Sequence, residues 1–313
     1  MQRTPDAVAD APLPEPPLPT AEAILGEEVP PAGKKKRLGV GAWLAIIWIV
    51  GLLLAAIFAP LLPIPEPTEV FPEIARKGPT AGHLLGGDTT GRDVLSRIIY
   101  GARASYAVGF GAVGFGLVIG GAIGLMAGFF RGKFDAIATP AMNVFLAIPQ
   151  FILALSLVTV LASQDGVTGS RRLMVVILGL GIVSVPLLGR ITRANTLTWS
   201  EREFVLAARA MGAKNGRIMF REVLPNVIPA MASIALLAVG IAIVAEGGLA
   251  LFGAGVQLPT PSWGNMIAEA RTSMRRAPHT IIFTSIVLFL TVLSLNYLGD
   301  VVRQRFDVRE AAL

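Results

Sequence analysis

Six long apolar runs leave this chain few ways to fold. Residues 39–62, 104–130, 134–163, 173–189, 223–252 and 280–299 together carry two acidic side chains, Asp135 and Glu246, and no basic one. A helix rising 1.5 Å per residue needs about 20 residues to cross the roughly 30 Å hydrocarbon core of a bilayer. In lipid each backbone N–H and C=O must find a partner within the protein, so a spanning segment is either a helix or a strand of a closed barrel. Runs of this length without polar–apolar alternation predict helices. The expected fold class is therefore an all-α polytopic membrane protein with six transmembrane helices. A mean hydropathy of +0.66 and a charged fraction of 15% fit that class and argue against a water-soluble core.

The charges are placed as a membrane would have them. A net charge of +6 could suggest nucleic acid, but the basic residues flank apolar runs and do not form a face of a soluble domain, so no nucleic-acid partner is expected. Residues 1–33 hold eight prolines and six acidic groups against one Arg and read as a disordered, Pro-rich cytoplasmic tail. Lys34, Lys35, Lys36 and Arg37 then abut the first run. An n-region this long, with no clear A-x-A cleavage site, argues for a retained span and against a cleaved signal. With the N-terminus inside, 17 basic residues fall on the inner side and 10 outside, so both termini are expected in the cytoplasm. The divisions that follow are 34–103 (first span and outer segment), 104–302 (five further spans) and 303–313 (C-terminal cytoplasmic tail).

Chemistry is sparse. The chain has no cysteine, and His83 and His279 lie far apart without acidic residues at ligand spacing, so no metal site is expected. GFFRGKF at 128–134 has the wrong spacing for a phosphate loop and lacks the Ser or Thr that would hold magnesium. No catalytic residue emerges. The polar residues within the runs that could line a translocation path are Glu246, Asn143 and Gln150; Glu246 lies late enough in its run to sit alternatively at the interface. Gly116, Gly120, Gly124 and Gly128 recur every fourth residue, forming a smooth stripe for close packing within the chain or against another subunit. Prolines at 140, 149, 186, 225 and 229 are expected to break or open helices.

Two outer segments look organised. In 86–105, Thr90 and Asp93 suggest a capping box, followed by an amphipathic helix lying at the interface. In 259–271, Trp263 is expected at headgroup level, as a membrane anchor or part of a docking surface. On the inner side, Ser200 and Glu203 have capping-box spacing, and Phe204, Ala207, Ala208 and Met211 then share a helical face. Gly212 would end that helix in a left-handed conformation, and a second short helix would run to Pro225. The result is a helical hairpin over 200–225, either a plain connection or an element that inserts into a partner's groove.

AARAMGAKNGRIMFREVLPN (207–226) resembles the EAA loop of binding-protein-dependent ABC importer permeases. Ala207, Ala208, Arg209, Gly212, Ala213, Leu224 and Pro225 take the ATPase-coupling positions of that pattern; Leu206 stands where the family often has Glu, and Glu222 where it often has an aliphatic residue. GDTTGRDVLSRIIYGARAS, AIPQFILAL, AEGGLALFGAGVQLPTPSWGNMI and LGDVVRQRFD are similar to the C-type permease of the peptide and nickel branch, over about residues 35–307. The resemblance implies a type I importer permease in the bacterial cytoplasmic membrane, forming half of a path for di- or oligopeptides. Nickel or another small solute is the alternative cargo. Implied partners are a homologous B-type permease, an extracytoplasmic substrate-binding protein and two ATP-binding subunits, which would hold the ATP and Mg while this chain binds no cofactor. A secondary transporter is the competing class; it would need coupling-ion groups at mid-membrane and internal repeats, and neither is visible.

Overall fold

The computed structural model describes residues 38–163 and 169–310, so the tail expected over 1–33 and the Lys34–Arg37 cluster lie outside the described residues. Among the described residues ten α-helices follow one another: α1 Val40–Ile57, α2 Val94–Phe130, α3 Gly132–Ala147, α4 Gln150–Ala162, α5 Gly169–Ser200, α6 Glu203–Ala210, α7 Asn215–Ile218, α8 Leu224–Leu251, α9 Trp263–Arg271 and α10 Pro278–Glu310. The described residues contain no strand. Five continuous helices among the described residues are long and apolar enough to cross a bilayer, and the α3–α4 pair makes a sixth crossing if it is one span.

That pair is bent by 90°, and the third run is therefore two helices in place of the single one expected. Pro149 removes a backbone donor at the bend. Gln150 compensates: its Nε2 donates to Phe145 O and Ile148 O, both at 3.1 Å, so the freed carbonyls are not left bare. Pro140, Pro186 and Pro229 sit inside helices that continue through them.

α2 begins earlier than the apolar run suggests. Asp93, not Thr90, is its N-cap, with the carboxylate accepting from Ser96 N at 2.7 Å. The expected interfacial amphipathic helix is instead the first turns of one 37-residue helix, about 55 Å long at 1.5 Å per residue. Its polar side is covered in part: Ser96 Oγ donates to Pro65 O at 2.6 Å and Arg97 is 2% exposed, while Arg103 stays exposed and donates to Ala56 O and Ile57 O. The outer segment folds over these turns and buries what the periodicity assigned to water.

The glycine stripe packs within the chain. Gly116, Gly120, Gly124 and Gly128 of α2 face Ser184, Val185, Gly189, Arg193 and Thr196 of α5. A Cβ at Gly128 would stand 2.7 Å from Arg193 O, and one at Gly124 would stand 2.9 Å from Arg193 N and closer still to Gly189 O. The two backbones touch, which only glycine allows. Asp135 of α3 pairs with Arg193 of α5 beside this seam (2.5 and 2.6 Å), so one of the two acids in the apolar runs is neutralised within the chain. On the other flank α10 packs against α1 and α8, with Trp48 Nε1 donating to Thr291 Oγ1 at 3.1 Å.

Candidate functional site

The hairpin begins where α5 ends. Ser200 is the last residue of α5, its hydroxyl donating to Thr196 O at 2.6 Å, so the expected Ser200–Glu203 capping box does not form. Arg202 is the N-cap of α6 without a side-chain bond, and Glu203 places a negative charge at the positive end of the helix. Val205 and Ala208 turn inward and join a core cluster with Phe129 and Trp199. Phe204, Leu206, Ala207, Arg209 and Met211 are exposed, Leu206 at 54% and Met211 at 81%.

Gly212 closes α6 as expected, with φ +80°; Gly212 N donates to Arg209 O at 2.9 Å and Ala213 N to Ala208 O at 3.0 Å. The second arm differs from expectation. α7 does not stop at Pro225 but passes through a π-helical turn, Met219–Val223, into α8, so Asn215–Leu251 is a single rod of 37 residues. Leu224 and Pro225 directly follow the π-helical turn, whose altered bonding pattern accommodates the missing N–H of Pro225.

Seven residues were expected to contact a partner, and the fold separates them. Ala207, Arg209, Gly212 and Pro225 are exposed, Ala213 and Leu224 are half-buried, and Ala208 at 9% exposure is an anchor to the chain's own core. A cleft of about 540 Å³ opens beside the hairpin, lined by Phe129, Phe130, Arg131, Glu201, Leu206 and Arg209. Arg131 pairs with Glu201 at 2.6 Å across it, and the Arg209 guanidinium lies 5.7 Å from the Phe129 ring.

The three path candidates share no hydrogen bond with one another. Asn143 is exposed on α3, and Gln150 serves the bend. Glu246, in the penultimate turn of α8, is 0% exposed, so it is held by hydrogen bonds and not by water. Its Oε1 accepts from Ser262 Oγ at 2.9 Å and from Val256 N at 3.3 Å, while Oε2 has no partner and lies against Gly264.

Sequence reasoning missed the polar assembly at the opposite end from the hairpin. Asp88 Oδ1 accepts from Thr90 N, Thr90 Oγ1 and Arg92 N, and Asp88 Oδ2 pairs with Arg92 and Arg97. Both arginines continue to Glu269 on α9, at 3.0 and 2.7 Å. Burial pushes the Asp88 carboxyl up, but the Arg92 N–H, the two guanidinium groups and the Thr90 hydroxyl together hold it below the ordinary carboxylate value. Trp263 is fully buried, donating from Nε1 to Ile98 O and from its backbone N to Ser105 Oγ, each at 3.0 Å; it is neither a headgroup anchor nor an exposed docking residue. His279 Nε2 lies 2.9 Å from Gly87 O, and His83 Nδ1 lies 2.9 Å from Asp93 Oδ2. The 172-residue separation of Arg97 and Glu269 leaves no local signal to read.

A bundle of apolar spans with a helical hairpin at one end and a polar assembly at the other is the fold of a polytopic membrane protein. Residues 120–311 match the family described as "Binding-protein-dependent transport system inner membrane component". The chain is 37% identical over 274 residues to the dipeptide transport system permease protein DppC of Alkalihalophilus pseudofirmus, covering 88% of this chain and 86% of that protein. It is 35% identical over 273 residues to the glutathione transport system permease protein GsiD of Pectobacterium atrosepticum, covering 87% of each. An inward-facing structure of the MetNI methionine ABC transporter shares the fold, with TM-score 0.56 at 21% identity over 67% of this chain and 96% of that one. The chain belongs to the binding-protein-dependent transport family and is a multi-pass inner-membrane permease of the ABC importer type.

Proposed function

We propose that this chain forms half of the translocation path of an ATP-driven importer of di- or oligopeptides. It would work with a homologous second permease, two cytoplasmic ATPases that bind ATP and Mg, and an extracytoplasmic binding protein. The observation that carries this reading is the two-sided hairpin: Val205 and Ala208 fasten α6 to the core, while Phe204, Leu206 and Met211 present apolar surface outside the spans. Exposed apolar patches of this kind mark partner contacts. The proteins named for dipeptide and glutathione transport support a peptide cargo. In this reading the hairpin and both termini face the cytoplasm, as the basic-residue bias favours.

Single cysteines test the orientation, since the chain has none of its own. With an impermeant thiol reagent on sealed cells, Met274→Cys should label and Asn215→Cys should stay protected; the reverse pattern refutes the orientation. Met211→Glu and Ala207→Glu should leave membrane insertion and pairing with the second permease intact, while co-purification of the ATPases and uptake are lost. Full uptake with ATPases retained would refute the coupling assignment.

A further inference from the structure

We infer that a groove between α2, α3 and α5 binds one acyl chain of an anionic phospholipid, with the phosphate held by Lys133 and Arg190 at its mouth. The groove has a volume of about 730 Å³ and runs along α3 from Phe134 to Phe145, with Ile119 and Ile123 of α2 and Ile182 and Pro186 of α5 among its other walls. Every side chain that lines it is apolar. The α3 wall is scarcely packed by the rest of the chain: Met142 is its one buried residue, and Ile137 is 72% exposed. Height selects the occupant. From Phe134 to Phe145 the helix rises about 16 Å at 1.5 Å per residue, close to half of the roughly 30 Å hydrocarbon core. The lining stops short of the α3–α4 bend and takes no residue of α4. A spanning helix of another subunit would need a groove of full membrane height, whereas one leaflet is the length of a single acyl chain.

The charges at the mouth select the headgroup. Arg131, two residues before Lys133, pairs with Glu201 beside the 200–225 hairpin, so this end of the groove lies on the hairpin's side of the membrane. Lys133 stands one helical turn before Ile137, and Arg190 one turn after Pro186, each on the stripe of its helix that lines the groove. Both are exposed. The acids nearby are already engaged: Asp135 accepts from Arg193 and Thr139, and Glu201 from Arg131. Neither Lys133 nor Arg190 has an acidic partner among the described residues, which leaves two positive charges above an apolar slot. Basic groups at a pocket between spans recruit anionic lipid headgroups, each by about fivefold.

The test uses the assembled transporter in nanodiscs of phosphatidylcholine, with a fluorophore on an introduced cysteine. Val144→Cys places it on α3 beside the groove, and Phe289→Cys places it on α10, which does not line the groove; both positions are exposed. Phosphatidylglycerol with brominated chains, or the same small fraction of brominated phosphatidylcholine, serves as quencher. At position 144 the anionic lipid should be enriched about 10- to 30-fold over the zwitterionic one, and at 289 the two should quench alike. Lys133→Gln with Arg190→Gln should abolish the enrichment, and Lys133→Arg with Arg190→Lys should keep it. Equal quenching by the two lipids at 144 with both basic residues in place, or an enrichment that survives the double Gln variant, overturns the inference. So does a position 144 that neither lipid quenches, which would put the second permease in the groove. Should the double variant not assemble, Lys133→Gln and Arg190→Gln are read singly, each expected to cut the enrichment about fivefold.

Discussion

Gly124→Ala is the sharpest test of how the spans are held together. The substitution adds one methyl group, yet its Cβ would be driven against Gly189 O and stand 2.9 Å from both Arg193 N and Thr192 Cβ. Two of these three neighbours are backbone atoms of α5, which cannot swing aside as a side chain can. Ordinary contact lies near 3.5 Å, so α2 and α5 would have to part by roughly 1 Å or more, and a gap of only about 0.5–1 Å already forfeits a quarter to a half of the dispersion energy of each affected pair. Overpacking of this kind costs about 1–3 kcal/mol. The backbone contact puts Gly124 at the upper end, about 2–3 kcal/mol, or roughly 30- to 150-fold in the folded-to-unfolded ratio. Gly114 on the same helix is the internal control, because nothing lies within 4 Å of its Cβ direction. There Gly→Ala should be neutral or stabilising by up to about 1 kcal/mol through helix propensity. Thermal unfolding of the purified permease in mild detergent reads both variants side by side. Equal tolerance of alanine at 114 and 124 would refute the claim that direct backbone packing joins α2 to α5.

Three further outcomes follow from the same geometry. Ala208→Glu should destabilise the chain itself, by about 2 kcal/mol or more for an unpaired buried charge, whereas Ala207→Glu one position earlier should leave unfolding unchanged; thermal melts of the two variants check this. Gln150→Leu should lower stability by about 1 kcal/mol, since it strands the Ile148 carbonyl and leaves Phe145 O with the Ile148 N–H alone, while Gln150→Asn is too short to rescue it. Asp88 has a folded pKa below its unfolded value, so its contribution is fully present above the unfolded value of about 3.9 and is lost as pH falls through the lower folded one. Asp88→Asn should therefore lower stability at neutral pH and flatten the loss below about pH 4 in a stability–pH series.

What the sequence makes legible here depends on the range over which each constraint acts. Hydropathy is a property of each segment alone, and so the spans were readable, as was the left-handed Gly212, whose role is set by its own backbone. Helix faces were readable as patterns but not as surfaces. The periodicity over 94–102 is real, yet the face opposite the apolar one is covered by residues 65–92 and Glu269, so Ser96 and Arg97 are buried where water was expected. The same limit explains Ala208 and Trp263. Spacing assigned Ala208 to the same helical face as Ala207, but the core reaches round α6 far enough to take Val205 and Ala208 and leave Ala207 outside. Trp263 has the composition of an interfacial anchor, and only the arrival of α2, some 160 positions away, supplies the Ile98 and Ser105 partners that draw it inside. Glu246 joins both cases. Its local context correctly marked a carboxylate near the end of a span, but whether such a group meets water, a cation or a serine hydroxyl is decided by the loop that returns over it. In this chain that loop brings Ser262 and Val256, so a carboxylate expected either at the interface, with hydrated or hydrogen-bonded oxygens, or on the translocation path accepts from two donors of its own chain.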